Sequence, residues 1–453
     1  MTAELVAQLE SSLPASLPVG AVTAVFVYGT CTSGQEPVED LDIVVDGRRH
    51  APAAAGMPRR GAFWGTVPVA AGSAPGTVEV GVSTRAAYAP LGRIAVADPP
   101  AAASSAAPDQ IAICMATYEP DIALFRVQIE SLRAQTDGRW ACVISDDGSR
   151  PEHLDAIRDV LGDDERFRLS PSGERLGFYR NFERALQLAP PEAGLVALCD
   201  QDDRWHPDKL AVLRSALGSA RLVYSDQRVV DAGGRVLRDT LWRGRRNNHT
   251  NLVSMLVANS ITGAAALFRR EVVDLALPFP ETPGLQFHDH WIALAALASG
   301  PVAYVDRPLY DYVQHRGAFF GEVTHGAREE RPRRRPSDVL RGGRGAYFRG
   351  YVPRAVMAQV LLTRCPRMQE RKRRALRRFV AAERSVAALA WLAARPLRVL
   401  AGRTETLGSE SELVRGLLWR RACRPARLDA SLPDVLSFQQ RRLRRWRARL
   451  TAE

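Results

Sequence analysis

Lysine is almost missing from this chain. Only Lys209 and Lys372 stand among 62 basic residues, so arginine carries nearly all the positive charge of 453 residues. Cysteine is sparse as well. Its six positions (31, 114, 142, 199, 365 and 423) include no CxxC pair, which removes paired-thiol redox motifs and zinc ribbons. Cys114, Cys142 and Cys199 lie in apolar, strand-like runs, where cysteine behaves as a small hydrophobe. Reduced core thiols of a cytosolic protein are expected. Long apolar runs are absent too. The longest charge-free stretch, 251–268, holds Asn251, Ser254, Asn259, Ser260, Thr262 and Gly263, and "SVAALAWLAA" stops at Arg395-Pro396. Neither matches a span of about 20 apolar residues, so no transmembrane helix is predicted. "MTAELVAQLE" carries acids and no basic segment, so no signal peptide is expected. There is no GxGxxG after a strand, no GxxxxGK[ST] loop and no GxSxG elbow. Dinucleotide oxidoreductases, P-loop enzymes and serine hydrolases of that type therefore lose their signature.

What is present is charge, unevenly placed. The formal net charge is +12, but residues 328–453 hold 32 Arg/Lys against 11 Asp/Glu, a tail of +21 on a body of −9. A length of 453 residues predicts two or three domains, and a hydrophobic content of 46 % is ordinary for a soluble protein.

Residues 1–97 read as an all-β accessory domain. "AVTAVFVYG", "DLDIVVDG", "GTVEVGVST" and "GRIAVAD" alternate apolar and polar between turn residues, as in an immunoglobulin-like sandwich. "DPPAAASSAAPD" (98–109) reads as a linker. From 110 to 327 the pattern becomes α/β. "QIAICMAT", "WACVISDDGS" and "GLVALCDQDD" are nearly unbroken apolar strands. Helical stretches separate them: Phe125, Ile129 and Leu132 in the first, "LDAIRDVL", then "GFYRNFERALQLA" with Phe178, Phe182, Ala185 and Leu186 on one face. Such alternation predicts a parallel sheet covered on both faces, with ligands beyond the carboxyl ends of its strands. Residues 328–453 read as a basic, largely helical region. In "QQRRLRRWRARL" (439–450), Leu443, Trp446 and Leu450 share a face among arginines. That suits an anionic membrane surface, or equally a stripe packed on its own domain.

Acids mark the strand ends. In "LCDQDDRW", Asp200, Asp202 and Asp203 follow an apolar run. One Asp would suffice to cap the helix "HPDKLAVLRSAL". Three at an open strand end favour a cation, and oxygen ligands suit Mg²⁺ or Mn²⁺. Asp146-Asp147 with Gly148-Ser149 can be a plain turn, or can accept hydrogen bonds from a base or ribose. Asp289, between His288 and His290 and just before an apolar helix at 291–298, reads either as an acid favoured by the helix dipole or as a general base. A zinc site at His-Asp-His is disfavoured, since no Cys or His lies nearby at ligand spacing.

In this order, "ATYEP", "VISDDGS", "GFYRNFERAL", "LCDQDDRW", "VYSDQRVVDAGGRVL", "NSITGAAALFRREVV", "HDHWIALAA…G" and "PLYDYVQHRG" resemble glycosyltransferase family 2, in particular its rhamnosyltransferase-like members. The resemblance covers about 110–320 and implies a GT-A fold, a nucleotide-binding α/β sheet extended by an acceptor-binding half. It implies sugar transfer from a nucleotide sugar to a hydroxyl with inversion. Thr117, Tyr118 and Glu119 would border the nucleoside. Asp146 or Asp147 would meet the base or ribose, and Arg180 and Asn181 would lie on the nucleotide side. Asp200 would face the ribose or donor sugar, Asp202 would be the principal metal ligand, and Asp289 would be the catalytic base. His315 would close on the diphosphate. Val313 stands where the family often has arginine, and Arg316 is the residue placed to compensate.

The reading from sequence is thus an inverting transferase dependent on Mg²⁺ or Mn²⁺. Its donor would be dTDP-rhamnose by preference, its acceptor a polysaccharide or lipid-linked glycan. It is expected in the cytoplasm, peripheral on the inner face of the membrane through its basic C-terminal region, with self-association left open. One rival is a non-catalytic basic protein, membrane- or nucleic-acid-associated, with a decayed transferase domain. Nucleic acid is disfavoured by the acidic body and the few aromatics in the tail. A nucleotidyltransferase would need a glycine-rich, lysine-bearing loop where this chain has "TYEPD".

Overall fold

Among the described residues, the first hundred positions form ten strands in two sheets. The strands are β1 (Leu5–Leu9), β2 (Ser16–Pro18), β3 (Val22–Ser33), β4 (Glu36–Pro37), β5 (Asp42–Val45), β6 (Arg48–His50), β7 (Ala54–Met57), β8 (Ala62–Ala70), β9 (Gly76–Ser83) and β10 (Tyr88–Ala97). One sheet runs β1-β3-β8-β7 with β4 beside β3, and the other β2-β10-β9-β5-β6. Both contribute to one apolar core that includes Val25, Val27, Phe63, Val67, Val80, Val82 and Ile94. In this computed structural model the described residues are 4–34, 36–57, 61–98, 109–241, 248–282, 286–315, 342–403 and 405–422. Most of the expected linker, Arg316, Cys423 and the 439–450 segment lie outside them.

Successive residues of a strand face opposite sides of its sheet. β3 uses both. Val25, Val27 and Cys31 enter the core between the two sheets. Ala24, Phe26 and Tyr28, with Trp64 of β8, belong instead to the large core of the rest of the chain.

That larger core is built on β11 (Ile111–Thr117), β12 (Trp140–Asp146), β13 (Phe167–Pro171), β14 (Leu195–Cys199), β15 (Arg204–Trp205), β16 (Leu222–Asp231), β17 (Val236–Arg238), β18 (Ala266–Arg269) and β19 (Val302–Gln314). The strand order is β13-β12-β11-β14-β18-β16-β19-β15, with β17 on β16. The first four strands are parallel, as continuous apolar runs predict. The all-parallel expectation fails beyond them. β18 pairs antiparallel with both β14 and β16. β18 is short and lies mostly in the charge-free 251–268 run, so periodicity gave no hint of its direction.

Among the described residues, seven helices serve this sheet: α1 (Ile122–Arg133), α2 (Pro151–Leu161), α3 (Phe178–Leu188), α4 (Lys209–Leu217), α5 (Leu252–Val257), α6 (Arg270–Ala276) and α7 (His288–Ser299). Four more follow: α8 (Val352–Arg364), α9 (Glu370–Ala381), α10 (Val386–Ala394) and α11 (Glu410–Ala422). α8 and the helical turn just before it, Ala346–Tyr351, pack on the outer face of β3 and β8. Trp64 Nε1 donates to the Tyr347 hydroxyl at 3.1 Å, and its ring lies 5.5 Å from Phe348. The Tyr347 hydroxyl in turn donates to Glu383. Arg420 reaches the Ala53 carbonyl at 2.9 Å.

Candidate active site

Three parallel strands end side by side. Thr117 of β11 is level with Asp146 of β12, and Met115 with Cys199 of β14. Their loops, 118–121, 147–150 and 200–203, therefore leave the sheet along one edge, which gathers three of the quoted motifs. α7 brings Asp289 to the same place. Gly263 allows this. A Cβ there would sit 2.8 Å from His288 Nε2, and the Gly263 backbone N–H is one of the donors to Asp289.

Asp289 is half-buried in the first turn of α7, not ahead of the helix as the sequence suggested. An acid is favoured there by the helix dipole. The His290 N–H donates to its Oδ1 at 2.5 Å. Burial still dominates and pushes its pKa up to about 7. Asp200 is raised too, by burial first and then by the charges of Asp202 and Asp289. Asp202 and Asp289 are thus near enough to Asp200 for their charges to act on it. The two histidines that flank Asp289 make other contacts. His288 stacks on Phe182 at 3.7 Å, and burial holds its pKa down at about 3. His290 Nε2 is bonded to the Met255 carbonyl at 2.8 Å, and burial lowers it to about 4. Both are neutral rings that pack the helix.

Asp202 meets His315. Its Oδ2 lies 2.8 Å from His315 Nε2, and this bond raises the imidazole pKa. Asp203 does not cap α4, whose N-cap residue is Asp208. It is 1 % exposed, and its Oδ1 accepts the Val313 N–H at 3.2 Å. The carboxylate thus fastens this loop to β19, a partner 110 residues away. Behind it lies Lys209, fully buried, donating to the Ala264 carbonyl and resting 3.2 Å over the Trp205 ring. Burial lowers the Lys209 pKa and raises that of Asp203, so each is driven toward its neutral form.

The residues that the resemblance sets toward the nucleoside are braced internally. Asp146 is inaccessible. It accepts from Thr117 Oγ1 at 3.0 Å, Ser149 N at 2.8 Å and Ser149 Oγ at 2.6 Å. Asp147 accepts the N–H groups of Leu176 at 2.5 Å and Gly177 at 2.9 Å, and burial raises its pKa. Both carboxylates brace the neighbouring loops rather than offering open acceptors. Asn181 Nδ2 donates to the Thr117 carbonyl at 3.1 Å, steadying the end of β11. Arg180 is neutralised inside the fold by Glu183 and Glu281 and by the Phe279 carbonyl. It does not join the other site residues. Tyr118 and Glu119 remain half-buried at the rim. Arg175 covers the Tyr118 ring at 3.8 Å, and Arg150 pairs with Glu119 at 2.7 Å.

Sequence reading overlooked Gln201. Its amide spans the two key loops: Oε1 accepts the Tyr118 N–H at 2.8 Å, and Nε2 donates to the Tyr118 carbonyl at 3.4 Å. A lone glutamine amid three aspartates was the available signal. Gly263 and Lys209 were also missed.

Among the described residues, no group of three His, Cys, Asp or Glu side chains is arranged to hold a metal as they stand. The donor set nonetheless fits one. Asp200 and Asp202 would supply hard oxygen ligands, and a divalent cation would offset the burial, and after it the charges of Asp202 and Asp289, that raise Asp200.

Residues 112–275 match the family described as Glycosyl transferase family 2. The matched segment is a little over a third of the chain, and over it the chain is similar to that family. Asp200 and Asp202 lie inside the matched segment, and Asp289 and His315 beyond it. An uncharacterized protein of Sinorhizobium fredii, y4gI, is 29 % identical over 130 residues. That match takes in 28 % of this chain and only 14 % of y4gI. Among solved structures, residues 1–349 of TarS from S. aureus with UDP-GlcNAc are similar with a TM-score of 0.42 and 15 % identity, over 69 % of this chain and 91 % of that one. The same TarS fragment alone gives 0.41 and 14 %, over 69 % and 90 %.

Proposed function

We propose that this chain is an inverting glycosyltransferase. It would move a sugar from a nucleotide sugar to a hydroxyl of a polysaccharide or lipid-linked glycan. One observation carries the reading: Asp289, its pKa lifted to about 7, lies near enough to the acid pair Asp200 and Asp202 after β14 for its charge to act on Asp200. A carboxylate poised near neutral pH suits a general base. Asp289 would take the proton of the acceptor hydroxyl. The acceptor oxygen would then attack the anomeric carbon from the face opposite the diphosphate. The bond from that carbon to the diphosphate oxygen breaks, and its electron pair leaves with the diphosphate. Asp200 and Asp202 would hold Mg²⁺ or Mn²⁺, which supplies positive charge for the departing oxygens. Protonated His315 would add positive charge beside Asp202. Thr117, Tyr118 and Glu119 would border the nucleoside. Rhamnose from dTDP-rhamnose is the donor that the motif resemblance favours.

The test is a screen of nucleotide sugars, dTDP-rhamnose and UDP-GlcNAc among them, for donor hydrolysis and transfer with Mg²⁺ or Mn²⁺. Asp289→Asn is expected to lower turnover about 10²–10⁴-fold with donor binding nearly unchanged. Unimpaired turnover would remove Asp289 as the base. Full activity in EDTA would remove the metal, and no donor bound or cleaved would sink the reading.

A further inference from the structure

The segment "SVAALAWLAA" is too short to cross a bilayer, and no described helix is long and apolar enough to do so. Its helix, α10, is nevertheless apolar all round. Ala388, Leu389 and Leu392 are buried against the fold. The opposite face carries Val386, Ala387, Ala390, Ala393 and Ala394, all exposed, with no polar or charged side chain among them. A helix that is apolar on every side is ordinarily enclosed. Here the apolar surface continues past the helix end. Val386 is 71 % exposed, Leu397 62 % and Leu400 84 %. Single exposed leucines are ordinary, whereas a contiguous apolar strip marks a contact surface.

Charge frames the strip. Exposed Arg384 precedes the helix and exposed Arg403 follows its tip. Arg378 of α9 leans over the Trp391 ring of α10 at 5.0 Å. The exposed face of α9 adds Arg371, Arg374 and Arg377. The neighbouring acids are mostly committed. Glu410 pairs with buried Arg395 at 3.2 Å and Glu405 with Arg398 at 3.1 Å. An apolar strip rimmed by arginine is the complement of an anionic lipid surface, where the rim meets headgroups and the strip enters the acyl boundary.

We infer that α10 and the turn after it, through Leu400, are an interfacial membrane-docking surface for anionic phospholipid. It is built from residues other than the 439–450 stretch, and it does not depend on the transfer reaction.

The experiment is sedimentation of the full-length protein with sucrose-loaded vesicles, of phosphatidylcholine alone or with about a third phosphatidylglycerol. Wild type is expected to bind the anionic vesicles and to lose binding as salt is raised. Val386→Ser/Leu397→Ser/Leu400→Ser should cut partitioning about tenfold or more. These positions are exposed, so the variant is expected to keep its fold, which circular dichroism and melting check. Arg371→Glu/Arg374→Glu should weaken binding severalfold and flatten its salt dependence. Removal of 423–453 should leave α10-dependent binding in place. Wild-type binding by the triple serine variant overturns the inference. So does binding that disappears only with 423–453. A wild-type dimer that the serine variant converts to monomer, with no vesicle binding by either, would make the strip a contact between copies and also overturn it.

Discussion

Burial lifts Asp289 to about 7, so the group that the proposed reaction needs as a carboxylate is half protonated near neutral pH. Turnover, measured with donor and acceptor saturating, should therefore rise with pH through about 7 and level off above it. The same shift acts on stability with the opposite sense. The folded pKa lies above the ordinary 3.8, so the folded state binds the proton more tightly than the unfolded chain. The resulting stabilisation is complete at low pH and is lost as pH rises toward 7. Asp289→Asn should then melt higher than wild type at pH 8, by about 1–2 kcal/mol after allowing for its partial exposure. The gain should vanish near pH 4. A variant that is dead yet more stable at pH 8 is the signature of a strained catalytic group. Gly263 is constrained by packing alone. Gly263→Ala would press its methyl into His288, whose ring is stacked against Phe182, and should cost about 1–3 kcal/mol in denaturant unfolding.

Among the elements, the loop entering α3 is held mainly by one side chain. Asp147 accepts the N–H groups of Leu176 and Gly177. Hydrogen bonds to a charged acceptor contribute about 1.5–3 kcal/mol. Asp147→Ala should lose about that much and speed amide exchange over 172–177, while the α3 amides beyond remain protected. What could be read from sequence at this scale follows from range. β11, β12 and β14 were legible because a buried strand is a continuous apolar run, and their acids mark its end. α3 was legible from one repeating face. The partners of those acids were not, because they lie far along the chain: Asp203 to Val313, and Arg180 to Glu281. β1, inside "MTAELVAQLE", and the antiparallel β18 were lost for the same reason, since pairing and not local pattern defines them.

For the whole molecule, the N-terminal sheets and the C-terminal helices are one packed body. The outer face of β3 and β8 is apolar, and Tyr347 and Phe348 close over it. Trp64 is 2 % exposed at that seam and also donates to Tyr347. Trp64→Ala should cost about 3–5 kcal/mol, seen as a lower denaturant midpoint. The loss should appear in a single transition shared by fluorescence and circular dichroism. Two separate transitions would show that the seam does not couple the parts.

The scarcity of lysine has a practical consequence. Lys209 is sealed under the cleft. Lys372 donates to the Leu297 carbonyl at 2.5 Å and to the Gly300 carbonyl at 3.1 Å, so it caps the far end of α7, the helix whose first turn bears Asp289. An acylating or biotinylating reagent thus finds one reachable side-chain amine, and modifying it strips the cation from that end. Loss of turnover after such labelling would look like an essential lysine in the cleft, although the modified group sits a whole helix away from it.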